Sequence, residues 1–256
     1  MNDELGNRMK LNYENVSKTY LTRRMPVIIR LDGKAFHTFT KSFKKPFDLV
    51  LGKTMEQTMK YLCKNIQGCV LGYCQSDEIS LLLVDYQKLN TDAWFNYAVQ
   101  KCTSVSASMA TFAFNKFFAE NVNHFFEENE RNEENEKLFS TYERAMEKGA
   151  MFDSRIFNIP KEEVINYFIW RQNDCYRNSV NTVAQSLFPA SQLYAKNTFD
   201  VLQMIGNKYR FTGWQMFGTS CTKEDEFGWD TCIISFKHPM DKKKVEGKFL
   251  FEDKNN

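Results

Sequence analysis

The sequence predicts an α+β protein with a palm-like, split βαβ (ferredoxin-like) antiparallel sheet, helices on one face and a helical C-terminal extension. Strand-like and helical segments follow one another in the order strand, helix, strand, strand, helix, strand, which is the order of a split βαβ unit. Of the 256 residues, 43% are hydrophobic and 26% are charged, values typical of a globular protein with a packed core.

The first part of the chain contains a helix, a strand and a second helix. Residues 4–24 are predicted as a charged helix that ends before Pro26, and the apolar run 27–31 as a buried strand closed by Asp32-Gly33. Residues 46–65 have apolar side chains near helical spacing, and Pro46 suits the first helical turn, where its missing N–H costs little.

A β-hairpin, a long helix and a last strand complete the unit. Residues 69–74 and 78–84 are predicted as strands joined by a polar turn over 75–77. Residues 91–120, rich in Ala, Ser, Met and Phe, are predicted as a helix, and 151–157 as the fourth strand.

An acidic stretch precedes the fourth strand, and a second region follows it. Residues 121–137 carry six glutamates and are predicted as a loop insertion, either solvated or a frayed helix extension. Beyond the fourth strand the pattern is helical to Phe188, with a strand-like piece at 232–236. We expect a single compact unit, with a palm-like catalytic core over 1–158 and a mainly helical extension over 159–256.

Charge, cysteine content and hydropathy exclude several classes of protein. The net charge of +2 neither requires nor excludes a nucleic-acid partner, since a local basic patch decides that. Seven cysteines without C-x-x-C spacing argue against a zinc site or a disulfide framework and are typical of reduced thiols. A polar N-terminus and the lack of a long apolar run predict no membrane span and a cytoplasmic protein; a mitochondrial location would need unconventional targeting.

Three carboxylates are expected to converge at one edge of the predicted sheet. In a split βαβ sheet the first and third strands are antiparallel neighbours, so Asp32 should meet Asp77 and Glu78. Converging carboxylates repel each other, and a divalent cation relieves that repulsion. Oxygen ligands without His or Cys favour Mg²⁺, and two ions about 3.5–4 Å apart suit nucleotidyl transfer. Gly33 would offer its carbonyl and let a phosphate approach closely. Taken separately, Asp-Gly and Ser-Asp-Glu are more often ordinary turns.

Four segments resemble motifs of the tRNA-His guanylyltransferase family and its 3′–5′ polymerase branch. The segments are RLDGKAFH at Arg30–His37, KPFD at Lys45–Asp48, YCQSDEIS at Tyr73–Ser80 and WRQNDC at Trp170–Cys175. Because all four occur in the family's order, the resemblance is far more specific than a single Asp-Gly or Ser-Asp-Glu would be.

The resemblance implies a two-metal nucleotide site. It implies that Asp32, Asp77 and the Gly33 carbonyl bind two Mg²⁺ ions, with Glu78 in support. It further implies that backbone groups and Ser76 cradle ATP, GTP or another nucleoside triphosphate, and that Lys45, Asp48 and Lys101 contact the nucleotide. The backbone cradle comprises Asp32, Gly33, Lys34, Ala35, Phe36 and His37. For Lys101 the common alternative is a solvated surface lysine.

The fourth motif implies a contact with RNA or with the activating nucleotide. The implied residues are Arg30, Arg171, Gln172, Asp174, Arg177 and Asn178. For Trp170, a helix-packing role is the alternative. The resemblance also implies tRNA as a partner and a homotetramer.

One departure from the family pattern bears on the substrate. Members that add a guanylate to tRNA-His carry HINNLYN after the W-R-Q motif, whereas this chain has YRNSVN at Tyr176–Asn181. The missing histidine resembles relatives that repair truncated tRNA 5′ ends with the opposite strand as template. We therefore expect template-dependent 3′–5′ nucleotide addition to tRNA, with guanylate addition to tRNA-His as the alternative.

Other classes of function are less consistent with the sequence. A nucleotide cyclase of the diguanylate type would share the core and the metals, but its GG(D/E)EF hairpin is missing at 75–78. A non-catalytic RNA-binding protein on a degenerate palm should have lost carboxylates that are all present here. The segment Gly52-Lys53-Thr54 argues against a P-loop kinase or ATPase, because it lacks the upstream glycine and has Phe47 in that position.

Overall fold

The computed structural model describes residues 3–224 and 228–236, which contain one six-stranded antiparallel sheet and helices. The predicted mixture of helices and antiparallel strands is therefore confirmed. The strands are β1 (Val27–Gly33), β2 (Cys69–Gln75), β3 (Glu78–Leu83), β4 (Phe152–Asn158), β5 (Thr219–Glu224) and β6 (Gly228–Cys232), in the spatial order β4-β1-β3-β2-β5-β6.

The helices differ widely in length. They are α1 (Glu4–Met9, continued by a π turn to Glu14), α2 (Phe36–Phe39), α3 (Leu49–Asn65), α4 (Val99–Glu128), α5 (Glu136–Lys148), α6 (Val164–Leu187), α7 (Ala190–Leu193), α8 (Thr198–Ile205) and α9 (Gly213–Phe217). Short 3-10 turns at Trp94–Tyr97, Lys161–Glu163 and Gly206–Lys208 precede or follow longer helices. No helix in the described part of the chain is both long and apolar enough to cross a membrane.

The sheet is covered on both faces. Alternate side chains of β1, such as Ile29, pack into the main core formed with α3 and α4. The intervening Ile28 packs on the opposite face against Tyr167 and Phe168 of α6. The expectation of helices on one face thus holds for α3 and α4, whereas the C-terminal helix α6 takes the other face because its apolar side matches that of the sheet.

Two predicted helix boundaries differ from the structure. The N-terminal helix ends at Glu14 and not at residue 24, and Tyr20 instead forms an isolated antiparallel bridge with Ala98. The next helix begins at Leu49 and not at Pro46, because the Asp48 carboxylate accepts the Leu51 N–H and caps the helix there.

The acidic stretch is largely helical, so of the two alternatives predicted for 121–137, a solvated loop or a helix extension, the first half follows the helix extension. Helix α4 continues to Glu128, and residues 129–135 alone connect it to α5. The physical reason is burial: Val122 is fully buried, and the Asn121 amide donates to Thr54 Oγ1 at 3.0 Å and to Gln57 Oε1 at 2.7 Å. The helix itself begins at Val99, after the 3-10 turn at Trp94–Tyr97.

The C-terminal region adds strands as well as helices. Strand β5 pairs with β2, and β6 extends the sheet outward from β5. The strand-like piece predicted at 232–236 is only the end of β6, since the strand stops at Cys232. The tail beyond residue 236 lies outside the described residues.

Candidate active site

Carboxylates from three neighbouring strands lie at one end of the sheet. Asp32 at the end of β1 is directly opposite Glu78 of β3 and Asp153 of β4 in the strand register. The strand alternation that puts Ile28 against α6 puts Asp32 on the same face. The predicted meeting of Asp32 with Glu78 is confirmed. Asp153 was not predicted from the sequence, although the split βαβ order also places the start of the fourth strand beside the end of the first.

The hairpin turn before β3 is hydrogen-bonded to the end of β1. The Gly33 N–H donates to the carbonyl of Asp77 at 3.0 Å, and Ser76 Oγ donates to Asp77 Oδ1 at 2.8 Å. Ser76 adopts a left-handed conformation, with φ of 49°, in this tight turn. The structure therefore brings Asp32, Gly33, Ser76, Asp77 and Glu78 together, as the sequence predicted.

The pKa values of Asp32 and Glu78 are raised in this arrangement. Burial raises the pKa of Asp32, and the nearby charges of Asp77 and Asp153 raise it further, against smaller opposing effects of Arg155 and Arg30. Burial also raises the pKa of Glu78, even though Arg171 and Arg30 favour its charged form. The site thus carries negative charge that the described side chains do not fully compensate.

The need for glycine at position 33 has a different cause from the one predicted. A Cβ on Gly33 would lie 2.3 Å from Cδ2 of Phe36, whose ring is only 3% exposed. Phe36 is thus a core residue that can offer a ligand only its backbone. Lys34, Ala35 and His37 are exposed, and the Lys34 N–H donates to the Met151 carbonyl at 2.8 Å.

A cavity of about 220 Å³ lies on the β2 side of the carboxylates. The cavity is lined by the KPFD segment, the β2–β3 turn and the C-terminal half of α6. Residues on its wall include Lys45, Asp48, Gln75, Ser76, Asn178 and Trp214. Trp214 was not singled out from the sequence; its ring meets that of Phe47 edge-on at 5.6 Å between centroids.

Asp48 lines this cavity, but its carboxylate already serves the fold. Oδ1 accepts the Leu51 N–H at 2.9 Å, and Oδ2 accepts the Lys44 N–H at 3.0 Å and the Tyr142 hydroxyl at 2.8 Å. The side chain is 6% exposed. The structure therefore places Asp48 at the predicted pocket and gives its carboxylate a structural role.

Lys101 is not brought to the other predicted nucleotide contacts. Its Nζ lies 4.5 Å from the ring centroid of Phe95, in a groove near the start of α4. The end of β4 that carries the carboxylates is instead reached by Thr111, whose Oγ1 accepts the Phe152 N–H. Ten helical residues, about 15 Å, separate these two positions on α4.

Two residues predicted to contact RNA are buried in internal contacts. Arg171 donates to Glu78 Oε2 at 2.7 Å. The Gln172 amide donates to the carbonyls of Phe217 at 3.0 Å and Ile234 at 2.7 Å, and accepts the Phe236 N–H at 3.0 Å. Arg171 and Gln172 thus bond to groups of the fold in this structure, and their contact with RNA or with the activating nucleotide stays a prediction.

The remaining predicted RNA contacts lie at or near the surface. Arg177 and Asn178 are exposed on α6, and Arg177 Nη2 donates to Asp174 Oδ1 at 2.6 Å. Asp174 also lies 3.3 Å from Arg171 Nη2, so it links the exposed cation to the buried one. Arg30 lies on the sheet face below Trp170, with its guanidinium carbon 5.9 Å from the indole centroid.

Comparisons with known sequences agree with the arrangement of these motifs. A family model described as tRNAHis guanylyltransferase matches residues 6–160, more than half of the chain. An uncharacterized protein of Acanthamoeba polyphaga mimivirus is 29% identical over 242 residues, which cover 88% of this chain and 78% of that protein. The tRNA(His) guanylyltransferase of Debaryomyces hansenii is 31% identical over 157 residues, 60% of this chain and 51% of that protein. The chain thus spans about half the length of that enzyme.

Solved structures are similar over most of their length. A bacterial tRNA(His) guanylyltransferase (Thg1)-like protein in complex with ATP is 40% identical with a TM-score of 0.74, over 89% of this chain and 91% of that chain. Such a protein in complex with GTP is 38% identical with a TM-score of 0.70, over 90% and 92%. The Saccharomyces cerevisiae tRNA(His) guanylyltransferase shares the fold at 21% identity and a TM-score of 0.65, over 87% and 96%. The family match, the 40% identity and the motifs gathered at one end of the sheet lead to one conclusion: this chain belongs to the tRNA(His) guanylyltransferase family.

Proposed function

We propose that this protein is a template-dependent 3′–5′ nucleotidyltransferase that adds nucleotides to the 5′ end of tRNA, in 5′-end repair or editing. The observation that carries the proposal is the register of Asp32 opposite Glu78, with the Asp77 turn bonded to Gly33. In this proposal residues 1–158 form a palm-like, ferredoxin-like catalytic core and residues 159–256 form the extension.

Two Mg²⁺ ions are the metal ions we propose for this site. The described residues contain no group of three or more His, Cys, Asp or Glu side chains that could hold a metal ion. The proposed donors are accordingly the Asp32 and Asp77 carboxylates with the Gly33 carbonyl, and Glu78 in support. They fit a hard cation, because all are oxygens and because crowded negative charge already raises the pKa of Asp32. Bound Mg²⁺ would neutralise phosphate charge and make an attacking hydroxyl more acidic.

The proposed reaction has two stages, both in-line attacks at phosphorus. The 5′-monophosphate of the RNA attacks the α-phosphorus of ATP, which forms an adenylylated 5′ end and releases pyrophosphate. The 3′-hydroxyl of the incoming nucleotide then attacks the RNA 5′ phosphorus, which forms the phosphodiester bond and expels AMP. An RNA with a 5′-triphosphate enters at the second stage and expels pyrophosphate. One set of fixed donors can serve both stages because the geometry of attack is shared.

The chain's own residues would position the nucleotide. The cavity beside Ser76 offers the Trp214 ring for base contact and the exposed Lys45 for phosphate. The segment Asp32–His37 runs from the carboxylates into α2, and its exposed Lys34 and His37 would add positive charge next to phosphate. Lys101 lies in a separate groove near the start of α4, so we do not count it among these nucleotide contacts.

The experiment that tests the proposal is a nucleotide-addition assay without a primer. Purified protein, Mg²⁺ and ATP are mixed with a tRNA that lacks its first 5′ nucleotide and with each labelled nucleotide in turn. We expect incorporation only of the nucleotide complementary to the opposing 3′ strand. Guanylate addition to full-length tRNA-His regardless of the opposing base would instead establish the tRNA-His maturation role. A cyclic product from GTP alone would make the protein a cyclase.

A variant separates catalysis from RNA binding. Asp77→Ala should abolish incorporation and leave the dissociation constant for tRNA unchanged, because the residue is proposed to hold metal and not RNA. Unchanged incorporation would remove Asp77 from the proposed metal site. Light scattering of the purified protein tests the proposed homotetramer.

A further inference from the structure

Gln75 is a buried polar residue on the wall of the cavity beside the carboxylates. It is 5% exposed and lines the cavity of about 220 Å³ together with Ser76. Within the described part of the chain, its side-chain amide forms no hydrogen bond. Fully enclosed side-chain nitrogen or oxygen atoms without a partner belong, among the described residues, to two arginines and Ser220, so the Gln75 amide borders open space. The amide is therefore available to a molecule in the cavity.

The other buried polar side chains on the cavity wall already have partners in the fold. The Asp48 carboxylate accepts three hydrogen bonds, and Gln215 completes a capping box at the start of α9. Ser179 Oγ donates to the Gln215 carbonyl, and Thr219 is likewise engaged. Because buried polar groups are normally paired, the free amide of Gln75 is the one left for water or a ligand among these described residues.

Gln75 lies in line with the proposed catalytic carboxylates. It is opposite Glu78 in the strand register, and Glu78 is opposite Asp32, so the three side chains are on the same face of the sheet. Neighbouring strands are about 4.8 Å apart, which puts Gln75 about 10 Å from Asp32 on the β2 side. Trp214 belongs to α9, which leads into β5, the next strand beyond β2, and it lines the same cavity. Gln75 therefore lies between the carboxylates and Trp214 in the order of the strands.

We propose that the Gln75 amide binds the 2′- and 3′-hydroxyls of the ribose of the nucleoside triphosphate and thereby selects ribonucleotides. The inference rests on the proposed function, in which the phosphates lie at the carboxylates and the base at Trp214. The ribose joins the phosphates to the base, so it passes the part of the wall where Gln75 lies. An amide suits two neighbouring hydroxyls, because its NH₂ group donates to one oxygen while its carbonyl accepts from the other.

The test measures nucleotide binding by the full chain without RNA, so it does not depend on nucleotide addition. Dissociation constants are measured by titration calorimetry in Mg²⁺ for ATP, 2′-deoxy-ATP and 3′-deoxy-ATP. The wild type should bind ATP about fivefold to tenfold more tightly than either analogue, since each analogue loses one neutral hydrogen bond. Gln75→Leu should bind the three nucleotides within about twofold of one another, because leucine has a similar volume and no polar group.

Two further variants make the test specific to the amide. Thr182→Val is the matched control: Thr182 lines the same cavity, but it follows Arg171, the partner of Glu78, by about 16 Å along α6. It should keep the wild-type preference for ATP over both analogues. Gln75→Glu should keep this preference too, because a carboxylate accepts hydrogen bonds from both hydroxyls. The added charge beside Glu78 should weaken the binding of all three nucleotides.

Three results would overturn the inference. Equal binding of the three nucleotides by the wild type would do so without any variant. An equal loss of affinity for ATP and for both analogues in Gln75→Leu would show that the residue only shapes the cavity. A change in the preference between ATP and GTP in Gln75→Leu, with the preference for ATP over its deoxy analogues unchanged, would assign the amide to the base and not to the ribose.

The inference and the proposed function can fail separately. Nucleotide addition to tRNA by a wild type that does not distinguish ATP from its deoxy analogues would overturn the ribose contact and leave the function standing. A preference for ATP that is lost in Gln75→Leu, in a protein that adds no nucleotide to tRNA, would support the ribose contact and refute the function.

Discussion

Arg171 and Glu78 form a salt bridge in the interior between α6 and β3, with Nη1 and Oε2 2.7 Å apart. Their side chains are only 7% and 13% exposed. Removing both charges from water is costly, and this cost offsets much of their attraction. The fold is destabilised when one partner is removed, because the other charge then stays buried alone. The pair also joins the C-terminal helix to the strand that begins at the proposed catalytic turn.

Loss of Arg171 should therefore destabilise the protein far more than loss of an exposed arginine. We expect Arg171→Ala to lower the free energy of unfolding by about 3–5 kcal/mol, because it leaves Glu78 buried without its partner. The control Arg177→Ala, at a side chain that is 59% exposed, should change it by no more than about 0.5 kcal/mol. Urea denaturation measures both.

The same series contains its own check. Adding Glu78→Gln to Arg171→Ala should recover part of the lost stability, since the uncompensated charge is then removed. If Arg171→Ala unfolds at the same urea concentration as Arg177→Ala, the buried pair does not hold α6 against the sheet.

The convergence of the carboxylates was predictable because it depends on local patterns. Hydrophobic periodicity located β1 and β3, and the split βαβ order then placed Asp32 beside Glu78. The same order would have located Asp153, which pairs with Asp32 from β4.

The roles of other residues depend on partners that are distant in the sequence. Asp48 accepts a hydrogen bond from Tyr142, 94 positions away, and Gln172 bonds to the backbone 45 to 64 positions away. Asn121 extends α4 by bonding to Thr54, 67 positions earlier. No short motif contains both partners of such a pair, so the sequence could not show that Asp48 and Gln172 form hydrogen bonds inside the fold.

Asp48 should prove important for stability apart from any role with nucleotide. Asp48→Ala removes a helix cap and a buried acceptor, and we expect a loss of about 2–4 kcal/mol in the free energy of unfolding. Asp3→Ala removes a comparable cap from α1, a helix without buried residues, and should cost less than about 1 kcal/mol. Thermal and urea unfolding without nucleotide measure both losses. Similar losses in the two variants would mean that the bonds of Asp48 to Lys44 and Tyr142 contribute little.

Gly33 should not tolerate even one added carbon. The Cβ of Gly33→Ala would meet the ring of Phe36, which is packed in the core and cannot move aside. We expect a loss of about 1–3 kcal/mol in the free energy of unfolding, as for other overpacked sites. Gly52→Ala is the matched control: its Cβ would make ordinary contacts at 3.6 Å with Trp214, and alanine favours the helix by up to about 1 kcal/mol. Chemical denaturation measures the free energy of unfolding of both variants. Equal stability would show that the Phe36 ring can move to accommodate the added carbon.

Asp32 should make the metal-free protein less stable as the pH rises. Burial and the charges of Asp77 and Asp153 raise its pKa in the folded state. A raised pKa means that its contribution to stability is full below the unfolded pKa and is lost as the pH rises through the folded pKa. In EDTA, Asp32→Asn should therefore melt at a higher temperature than the wild type at about pH 7, and the difference should shrink towards about pH 3.

The control for this melting series is an exposed carboxylate away from the site. Glu133→Gln, in the connection 129–135, should show the same change in melting temperature between the two pH values as the wild type does. Adding Mg²⁺ should raise the melting temperature of the wild type and leave that of Asp32→Asn nearly unchanged, because only the wild type keeps the proposed metal ligand. If Asp32→Asn melts below the wild type in EDTA at about pH 7, repulsion among these carboxylates does not destabilise the fold, and the electrostatic argument for a cation at this site fails.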